Sequence, residues 1–167
     1  MTVTNLRDFF VHNVEDIYYA EKQLLDALQQ FEDQTEDEDI AQEFSDHREE
    51  TEEHIERLEK VFEKLDKEPE KEECEAIEGL LEEHKGFADK DPDQRLLDLH
   101  NLVAAQKVEH YEIASYGNLA LLADRLDMDE AGDLLHKNLE DEEEALDTLS
   151  SFVDDYDYEE IVEASAD

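Results

Sequence analysis

Five glutamates fall at or beside the inward-facing positions of four predicted helices: Glu21, Glu50, Glu109, Glu112 and Glu142. We predict that each helix points one carboxylate inward, with Glu112 one turn beyond Glu109. Glu21 and Glu50 are each roughly four turns from the link between the first two helices, and Glu109 and Glu142 are similarly far from the link between the last two. At a rise of about 1.5 Å per residue, these four carboxylates fall near one level.

Carboxylates that meet in an apolar core need partners. Burying one unpaired carboxylate costs several kcal/mol even after relaxation. Protons could neutralise the group, but two divalent cations would balance four negative charges and supply the missing contacts. Oxygen ligands combined with imidazole suit iron or manganese. Because 53 of the 167 residues are acidic, a single inward glutamate is unsurprising, and the prediction depends on the joint pattern.

The elements that position these residues are long amphipathic helices, since apolar residues recur at three-and-four spacing and alternating strand patterns are absent. The chain contains only 4 Gly and 2 Pro, which also favours helices. We predict four long helices over residues 4–31, 39–65, 93–122 and 129–153, and a short one over residues 73–87.

The connections predict how these helices are arranged. Short links join the first to the second long helix and the third to the fourth, which indicates two antiparallel hairpins. The longer segment between the hairpins can cross the length of the bundle and contains the short fifth helix. We therefore predict an all-α, ferritin-like four-helix bundle formed by residues 1–156, followed by an acidic C-terminal tail, residues 157–167.

The charge balance bears on environment and partners. Fifty-three acidic residues against 14 basic ones give a net charge of −39. Disorder is one interpretation of such charge, but the periodic apolar residues argue for a packed bundle. The alternative is adaptation to molar salt, where the Debye length shrinks to about 3 Å. We expect a halophilic cytoplasm, cations as partners, and neither nucleic acid nor membrane, because both carry negative charge.

Other compositional features narrow the protein's class. Cys74 is the single cysteine, so neither an intrachain disulfide nor a thiolate zinc cluster is possible. The first residues lack a basic region followed by an apolar run, which predicts no signal peptide. No stretch approaches about 18 consecutive apolar residues, which predicts no membrane span.

Several segments resemble the YciF-like family of ferritin-like proteins over about residues 5–153. They are Tyr-Tyr-Ala-Glu-Lys-Gln-Leu (18–24), His-Arg-Glu-Glu-Thr (47–51), Cys-Glu-Ala-Ile-Glu-Gly-Leu-Leu-Glu-Glu (74–83) and Ala-Ala-Gln-Lys-Val-Glu-His-Tyr-Glu-Ile-Ala-Ser-Tyr-Gly (104–117). Residues 109–112 also resemble the Glu-His-x-Glu of rubrerythrins. The resemblance implies a homodimer with a role in stress responses, and the charge balance adds a halophilic archaeon as the expected source. It also implies that the five glutamates correspond to ligand positions of di-iron relatives.

The chain departs from the di-iron pattern in its imidazoles. Di-iron relatives carry Glu-x-x-His on two helices, but the residue three after Glu50 is Glu53. His54 follows one position later and His47 precedes Glu50 by three. Both histidines lie on the inner stripe, so we predict His54 as a ligand and His47 as its alternative. The last long helix has Ala145 where the second imidazole would stand, which leaves water or Glu112 to fill in.

Three further residues are predicted to support the ligands rather than bind metal. His110 follows Glu109 directly, and Gln106 and Asn138 lie one inner step from Glu109 and Glu142, respectively. A polar side chain at such positions can orient a ligand by hydrogen bonding. No catalytic residue separate from the metal site is predicted.

Three functions follow from this interpretation. The first is a peroxidase-like or ferroxidase-like di-iron protein in which ferrous iron reacts with dioxygen or peroxide during stress, with manganese or zinc as alternative metals. The second is a non-catalytic, dimeric helical-bundle stress protein with a vacant site. The third is a redox-silent protein in which zinc or calcium stabilises the fold.

Overall fold

The computed structural model describes residues 2–69 and 73–164, and within them the chain is an all-helical bundle. Six helices occur in this part of the chain: α1 Leu6–Gln34, α2 Glu38–Lys64, α3 Glu75–Ala88, α4 Gln94–Arg125, α5 Asp129–Asp154 and α6 Tyr158–Ala164. The five predicted helices correspond to α1 to α5, with ends that differ by three residues or fewer. The segment predicted as a tail contains the additional short helix α6.

Polar caps explain where the long helices begin. The Asn5 side chain accepts a hydrogen bond from the Asp8 N–H (2.9 Å), and the Asp37 carboxylate accepts from Asp39 and Ile40. Such caps satisfy backbone donors that have no partner within the helix. Two aspartates, Asp66 and Asp127, adopt positive φ just after α2 and α4, a conformation that short polar side chains tolerate better than most.

Neighbouring long helices run antiparallel in this bundle. Along α4 and α5, Gln106 donates to Ser150 while the Cα of Gly117 faces Leu139, so positions rise on one helix as they fall on the other. Helix α1 packs against α2 and α4, and α2 also packs against α5. The short helix α3 lies mainly against α4.

The core is apolar above and below a polar middle layer. One cluster of buried residues includes Phe10, Phe62 and Leu135, and a second includes Phe31, Phe44 and Leu102. Fully burying such a side chain contributes about 1.5–3 kcal/mol. No helix in the described ranges is both long and apolar enough to cross a membrane.

The link between α1 and α2 is fastened to the start of α4. The buried Asp98 carboxylate accepts hydrogen bonds from the Glu36 N–H (3.3 Å) and the Asp37 N–H (3.2 Å). One turn earlier, the Gln94 amide donates to the Gln34 carbonyl (2.7 Å). Residues distant in sequence thus complete the first hairpin's turn.

Candidate metal centre

Four carboxylates are buried together in the middle of the bundle. Glu21 of α1, Glu109 and Glu112 of α4, and Glu142 of α5 are each at most 1% exposed. They come from three helices, whereas the sequence predicted one from each of four. Most of the other buried residues of α1, α4 and α5 are apolar, so the four carboxylates have few polar partners from their own helices.

Helix α2 contributes imidazoles to the centre. His47 and His54 are 5% and 0% exposed, and they lie two turns apart on the inward face of the helix. Thr51, between them on the same face, donates its hydroxyl to the His47 carbonyl and so keeps its polar group on its own helix. The centre therefore combines carboxylate oxygens from three helices with two nitrogen donors from the fourth.

The six side chains form two groups that share one residue. His47, Glu109, Glu112 and Glu142 form the first group, and Glu21, His54 and Glu142 form the second, with one donor atom per residue and all donor atoms of a group within 4.8 Å of one another. Glu142 Oε1 is 3.0 Å from His54 Nδ1, and Glu142 Oε2 is 3.9 Å from His47 Nε2. The shared carboxylate thus faces both groups, as a ligand that bridges two cations would.

Within each group, a histidine nitrogen also lies close to a second glutamate. His47 Nε2 is 3.1 Å from Glu109 Oε1, and His54 Nδ1 is 3.4 Å from Glu21 Oε1. Glu21 also accepts a hydrogen bond from the Tyr116 hydroxyl, which fixes one of its two oxygens. Tyr116 is fully buried and meets the His54 ring edge-on at 6.1 Å, so it closes one side of the centre.

Among the described residues, several potential metal-binding atoms of this centre have no hydrogen-bond partner. They are Glu21 Oε2, Glu109 Oε2, both oxygens of Glu112, both oxygens of Glu142 and both ring nitrogens of His54. Orphaned buried polar atoms are rare and costly in folded proteins. Buried carboxylate oxygens and imidazole nitrogens that face one another in this way fit divalent cations such as iron, manganese or zinc.

The protonation equilibria of the centre are strongly perturbed. Burial, together with the charges of Glu142, Glu21 and Glu109, raises the pKa of Glu112 well above its usual range. Burial and the charge of Glu109 raise the pKa of Glu142 to about 7, although the two histidines oppose this. Without cations, the centre retains protons on carboxyl groups that would be ionised in water.

The histidines respond in the corresponding way. Burial alone would lower the pKa of His54, but the negative charge of Glu21 and the contact with Glu142 outweigh burial and raise it to about 10. Burial likewise opposes the protonation of His47, and Glu109 reverses the effect, so that its pKa is also raised. Protons on these rings therefore take the place that cations would occupy, and a metal ion must displace them.

A charged network behind His54 holds this histidine in place. His54 Nε2 is 3.5 Å from Asp141 Oδ2, and Arg57 donates to both Asp141 and the Asn138 side chain. Asn138 also donates to the His54 carbonyl (3.4 Å). A carboxylate on the outer nitrogen of a ligand histidine fixes the ring orientation and the tautomer. Asn138, which was predicted to support a ligand, therefore hydrogen-bonds the backbone of His54, and its supporting role stays a prediction.

Sequence reasoning missed Arg57 and Asp141. Both are charged residues off the apolar stripe, and in a chain this acidic such residues look like solvated surface. The available signal was spacing, because Asp141 directly precedes Glu142 and Arg57 lies one turn after His54. Arg57 is only 7% exposed, which is unusual for an arginine unless its charge is paired.

Three predicted residues lie outside the centre. The Glu50 side chain is 53% exposed and contacts His47 Nδ1 from the solvent side at 3.5 Å. The prediction that α2 points a carboxylate inward is therefore wrong, because the inner face at this level is occupied by His47, Thr51 and His54. His110 is exposed, and the Gln106 amide donates to Ser150 rather than to a ligand.

Comparisons with known proteins agree over most of the chain. The family model described as "Domain of unknown function (DUF892)" matches residues 5–164. Protein YciF of Escherichia coli (strain K12) is 41% identical over 143 residues, which cover 85% of this chain and 86% of that protein.

Comparison with solved structures also identifies YciF among the similar proteins. YcfI of Rhodopseudomonas palustris, described as a candidate structural protein, has a TM-score of 0.87 at 39% identity and covers 89% of this chain and 94% of its own. The Escherichia coli stress protein YciF has a TM-score of 0.86 at 39% identity, covering 90% and 96%. A protein of Xanthomonas campestris pv. campestris reaches 0.74 at 20% identity, covering 96% and 95%, and supports the fold alone.

Proposed function

The chain belongs to the DUF892 family, which includes YciF, and from this premise we propose that it is a stress protein whose bundle centre binds two metal ions, most simply iron. The observation that carries the proposal is the shared carboxylate of Glu142. It faces two groups of buried ligand atoms, and within the described ranges of the chain neither of its oxygens has a hydrogen bond. The stress role is carried over from the YciF of Escherichia coli, which is described as a stress protein.

Charge balance supports a pair of divalent ions. The centre contains four carboxylates, Glu21, Glu109, Glu112 and Glu142, and two ions of charge +2 would make this set neutral. In this proposal His47, Glu109, Glu112 and Glu142 hold one ion, and Glu21, His54 and Glu142 hold the other. Manganese and zinc accept the same donors, so the donor set favours a class of metals over a single element.

The protein's own residues would prepare the centre for redox chemistry. Bound ferrous ions would supply the electrons that reduce dioxygen or peroxide. Tyr116 holds one oxygen of Glu21, and the network of Asp141 and Arg57 directs His54 Nδ1 inward. The surrounding apolar side chains exclude water, which strengthens each electrostatic contact. The activity would be peroxidase-like or ferroxidase-like.

The arrangement of the helices supports the ferritin-like class. Two antiparallel hairpins, α1–α2 and α4–α5, are joined by a crossover that contains α3, and metal ligands in ferritin-like bundles project inward from facing helices. We propose this arrangement for the whole domain. A homodimer in the cytoplasm of a halophile remains our expectation for its assembly and setting.

A second function is favoured by the distribution of the imidazoles. Both come from α2, and α5 places Ala145 one turn after Glu142. A centre that is rich in carboxylates and poor in imidazole also suits a redox-silent ion that stabilises the fold. The description of YcfI as a candidate structural protein points in the same direction.

Anaerobic titration with ferrous iron, followed by exposure to air, tests these alternatives. We expect two ferrous ions per chain and a ferric absorption after air. Binding of two ions without oxidation would favour the redox-silent function. Failure to bind any stoichiometric metal would contradict the metal centre itself. Glu109→Ala should lose the ion of the first group, whereas Glu140→Gln, an exposed change on α5, should behave as the unmodified protein.

A further inference from the structure

The crossover helix α3 is attached to the bundle by few side chains. Ile77 and His84 are the two residues of α3 that are buried, and Cys74 is buried just before the helix begins. Ile77 and Cys74 hold the N-terminal half, so His84 is the buried anchor of the C-terminal half. A helix attached at so few points can open locally while the rest of a protein stays folded.

The His84 ring packs against a tilted phenylalanine ring on one side and stacks on a histidine ring on the other. Its ring lies 4.5 Å from the Phe31 ring of α1 and 5.4 Å from the His100 ring of α4, with an angle of only 18° between the two imidazoles. The His100 ring in turn stacks on Phe87 of α3 at 3.9 Å. The C-terminal half of α3 is thus joined to α4 by alternating contacts across two stacked histidines.

Hydrogen bonds determine the tautomer of the neutral His84 ring. Its Nε2 is 2.7 Å from Asn101 Oδ1, and the Asn101 amide nitrogen donates to Thr35 Oγ1 (3.0 Å). Because an amide oxygen can only accept, His84 Nε2 carries the proton of the neutral ring and its Nδ1 is unprotonated. A second proton would therefore place a full positive charge between the Phe31 and His100 rings.

His100 has a complementary restriction. Its Nε2 is buried and makes no hydrogen bond to any residue that the structure describes. A neutral ring tolerates this when that nitrogen carries no proton, but the imidazolium ion has two N–H donors and would leave one buried without an acceptor. Two stacked imidazolium rings would in addition repel each other.

We propose that the stacked His84–His100 pair is an acid-sensitive latch, which holds the C-terminal half of α3 on α4 at neutral pH and releases it on mild acidification. Release would uncover the Phe31 ring, which His84 covers in the closed state. The latch is independent of the metal centre and of the proposed redox function.

The charged groups around the pair support this direction. Burial lowers the pKa of His84, and burial together with His84 and Lys107 lowers that of His100, with a smaller contribution from Lys90 and opposition from Glu83. From α1 the neighbours are the uncharged Phe31 and, through Asn101, Thr35. The closed state therefore binds protons less readily than the open state, so acid favours opening.

The ion pair between Glu83 and Lys107 also joins α3 to α4. Lys107 lowers the pKa of Glu83, so this carboxylate stays ionised in mild acid. With a pKa of about 6.5 for each imidazole in the open state, acidification from about pH 7.5 to about pH 5.5 should favour opening by up to about tenfold per histidine.

Amide hydrogen exchange of the metal-free full chain tests the latch. After correction for intrinsic exchange rates, we expect the protection of residues 80–88 to fall by at least about tenfold between those two pH values. The protection of α2 should not fall. Unchanged protection of residues 80–88 in the unmodified chain would overturn the proposal.

Matched variants separate the latch from general acid effects. His100→Phe keeps the stack and His84→Gln keeps a donor for Asn101, and neither new residue titrates. In each single variant, the change in the logarithm of the protection factor of residues 80–88 between the two pH values should be about half of that in the unmodified chain. In the double variant this change should nearly disappear. His136→Gln, at an exposed site on α5, should respond as the unmodified chain does. A full response in His100→Phe would overturn the role of the pair, whether or not the double variant folds.

Discussion

Glu142 Oε1 lies 3.0 Å from His54 Nδ1, yet the two atoms do not form a hydrogen bond of acceptable geometry. Both side chains are fully buried, so neither can turn to water for a partner. A carboxylate and an imidazole that face each other in this way are arranged as two ligands of a common ion, and this relationship motivates the first prediction.

Glu142→Gln should remove both metal ions at once, because Glu142 belongs to both donor groups. Changes that merely support a ligand weaken metal binding by about 10–100-fold, so loss of this shared ligand should exceed about 100-fold. Isothermal titration calorimetry with ferrous or zinc ions measures the effect. Glu140→Gln, which alters an exposed side chain on the same helix, is the control. Two ions bound with unchanged affinity would contradict the shared-ligand assignment.

Glu50 and Glu112 should behave differently when each is replaced by glutamine. Glu112 is fully buried with both oxygens unpartnered, whereas the Glu50 side chain is 53% exposed. We expect Glu112→Gln to lose one ion of the pair and Glu50→Gln to retain both, as measured by metal content after dialysis. Loss of an ion in Glu50→Gln would restore this residue to the ligand set that the sequence predicted.

Asp141→Asn should weaken metal binding without changing how many ions bind. Asp141 faces the outer nitrogen of His54 and is held by Arg57, so its loss frees the ring to rotate. We expect affinity to fall by about 10–100-fold at one of the two sites. Competition with a metal-sensitive dye gives the dissociation constants, and Asp147→Asn on the exposed side of α5 is the control. Equal affinities in the two variants would remove Asp141 from a supporting role.

The metal-free protein should become less stable as the pH rises. The pKa of Glu142 is raised to about 7 and that of His54 to about 10, so the folded state binds more protons than the unfolded state from mildly acidic pH up to these values. Between its pKa in the unfolded state and its pKa in the folded state, each group lowers the free energy of unfolding by up to about 1.4 kcal/mol per pH unit. Urea unfolding in the presence of a chelator should show this decline between about pH 6 and pH 9.

The variant Glu142→Gln isolates the contribution of Glu142 to this pH dependence. It lacks the ionisation near pH 7, so its stability should decline less steeply through that range than that of the unmodified chain. Saturating metal should reverse the trend, because ions compete with the protons of the centre. Rising stability of the metal-free chain between about pH 6 and pH 9 would contradict the pKa directions on which the prediction depends.

The net charge of −39 predicts a dependence on salt. At low ionic strength the surface carboxylates repel one another at long range, whereas at about 1 M this repulsion is screened beyond about 3 Å. We expect the midpoint of thermal unfolding to fall steadily as KCl is removed. Full stability in dilute buffer would contradict adaptation to high salt.

The periodicity of the sequence predicted the helices well because apolar spacing is a local property. The predicted helix over residues 129–153 corresponds to α5, Asp129–Asp154, and the inward positions of Glu21, Glu109 and Glu142 followed from the same spacing. Glu112 lies beside the predicted stripe and entered the ligand set through the resemblance to di-iron relatives. A residue within an apolar stripe faces the core wherever the stripe does. The spacing of apolar residues was therefore sufficient to predict that Glu21, Glu109 and Glu142 are buried.

Residues at the edges of a stripe were harder to place. Glu50 adjoins Thr51 in sequence, but consecutive helical residues point about 100° apart, so Thr51 turns inward while Glu50 reaches solvent. The pairing of Arg57 with Asp141 depends on how α2 and α5 pack, which single-helix periodicity does not encode. Helix α6 was missed because its residues are acidic and lie in a segment without a long apolar stripe.

The fastening of the α1–α2 link to Asp98 has a consequence for how the chain folds. A turn whose N–H groups are satisfied 61 and 62 positions downstream cannot reach its final form while the first two helices are alone. The α1–α2 hairpin is then not an autonomous folding unit. Its turn is completed only when α4 has packed against it. Such long-distance closure slows the search for the native state, and a fragment that ends after α2 would have a frayed tip.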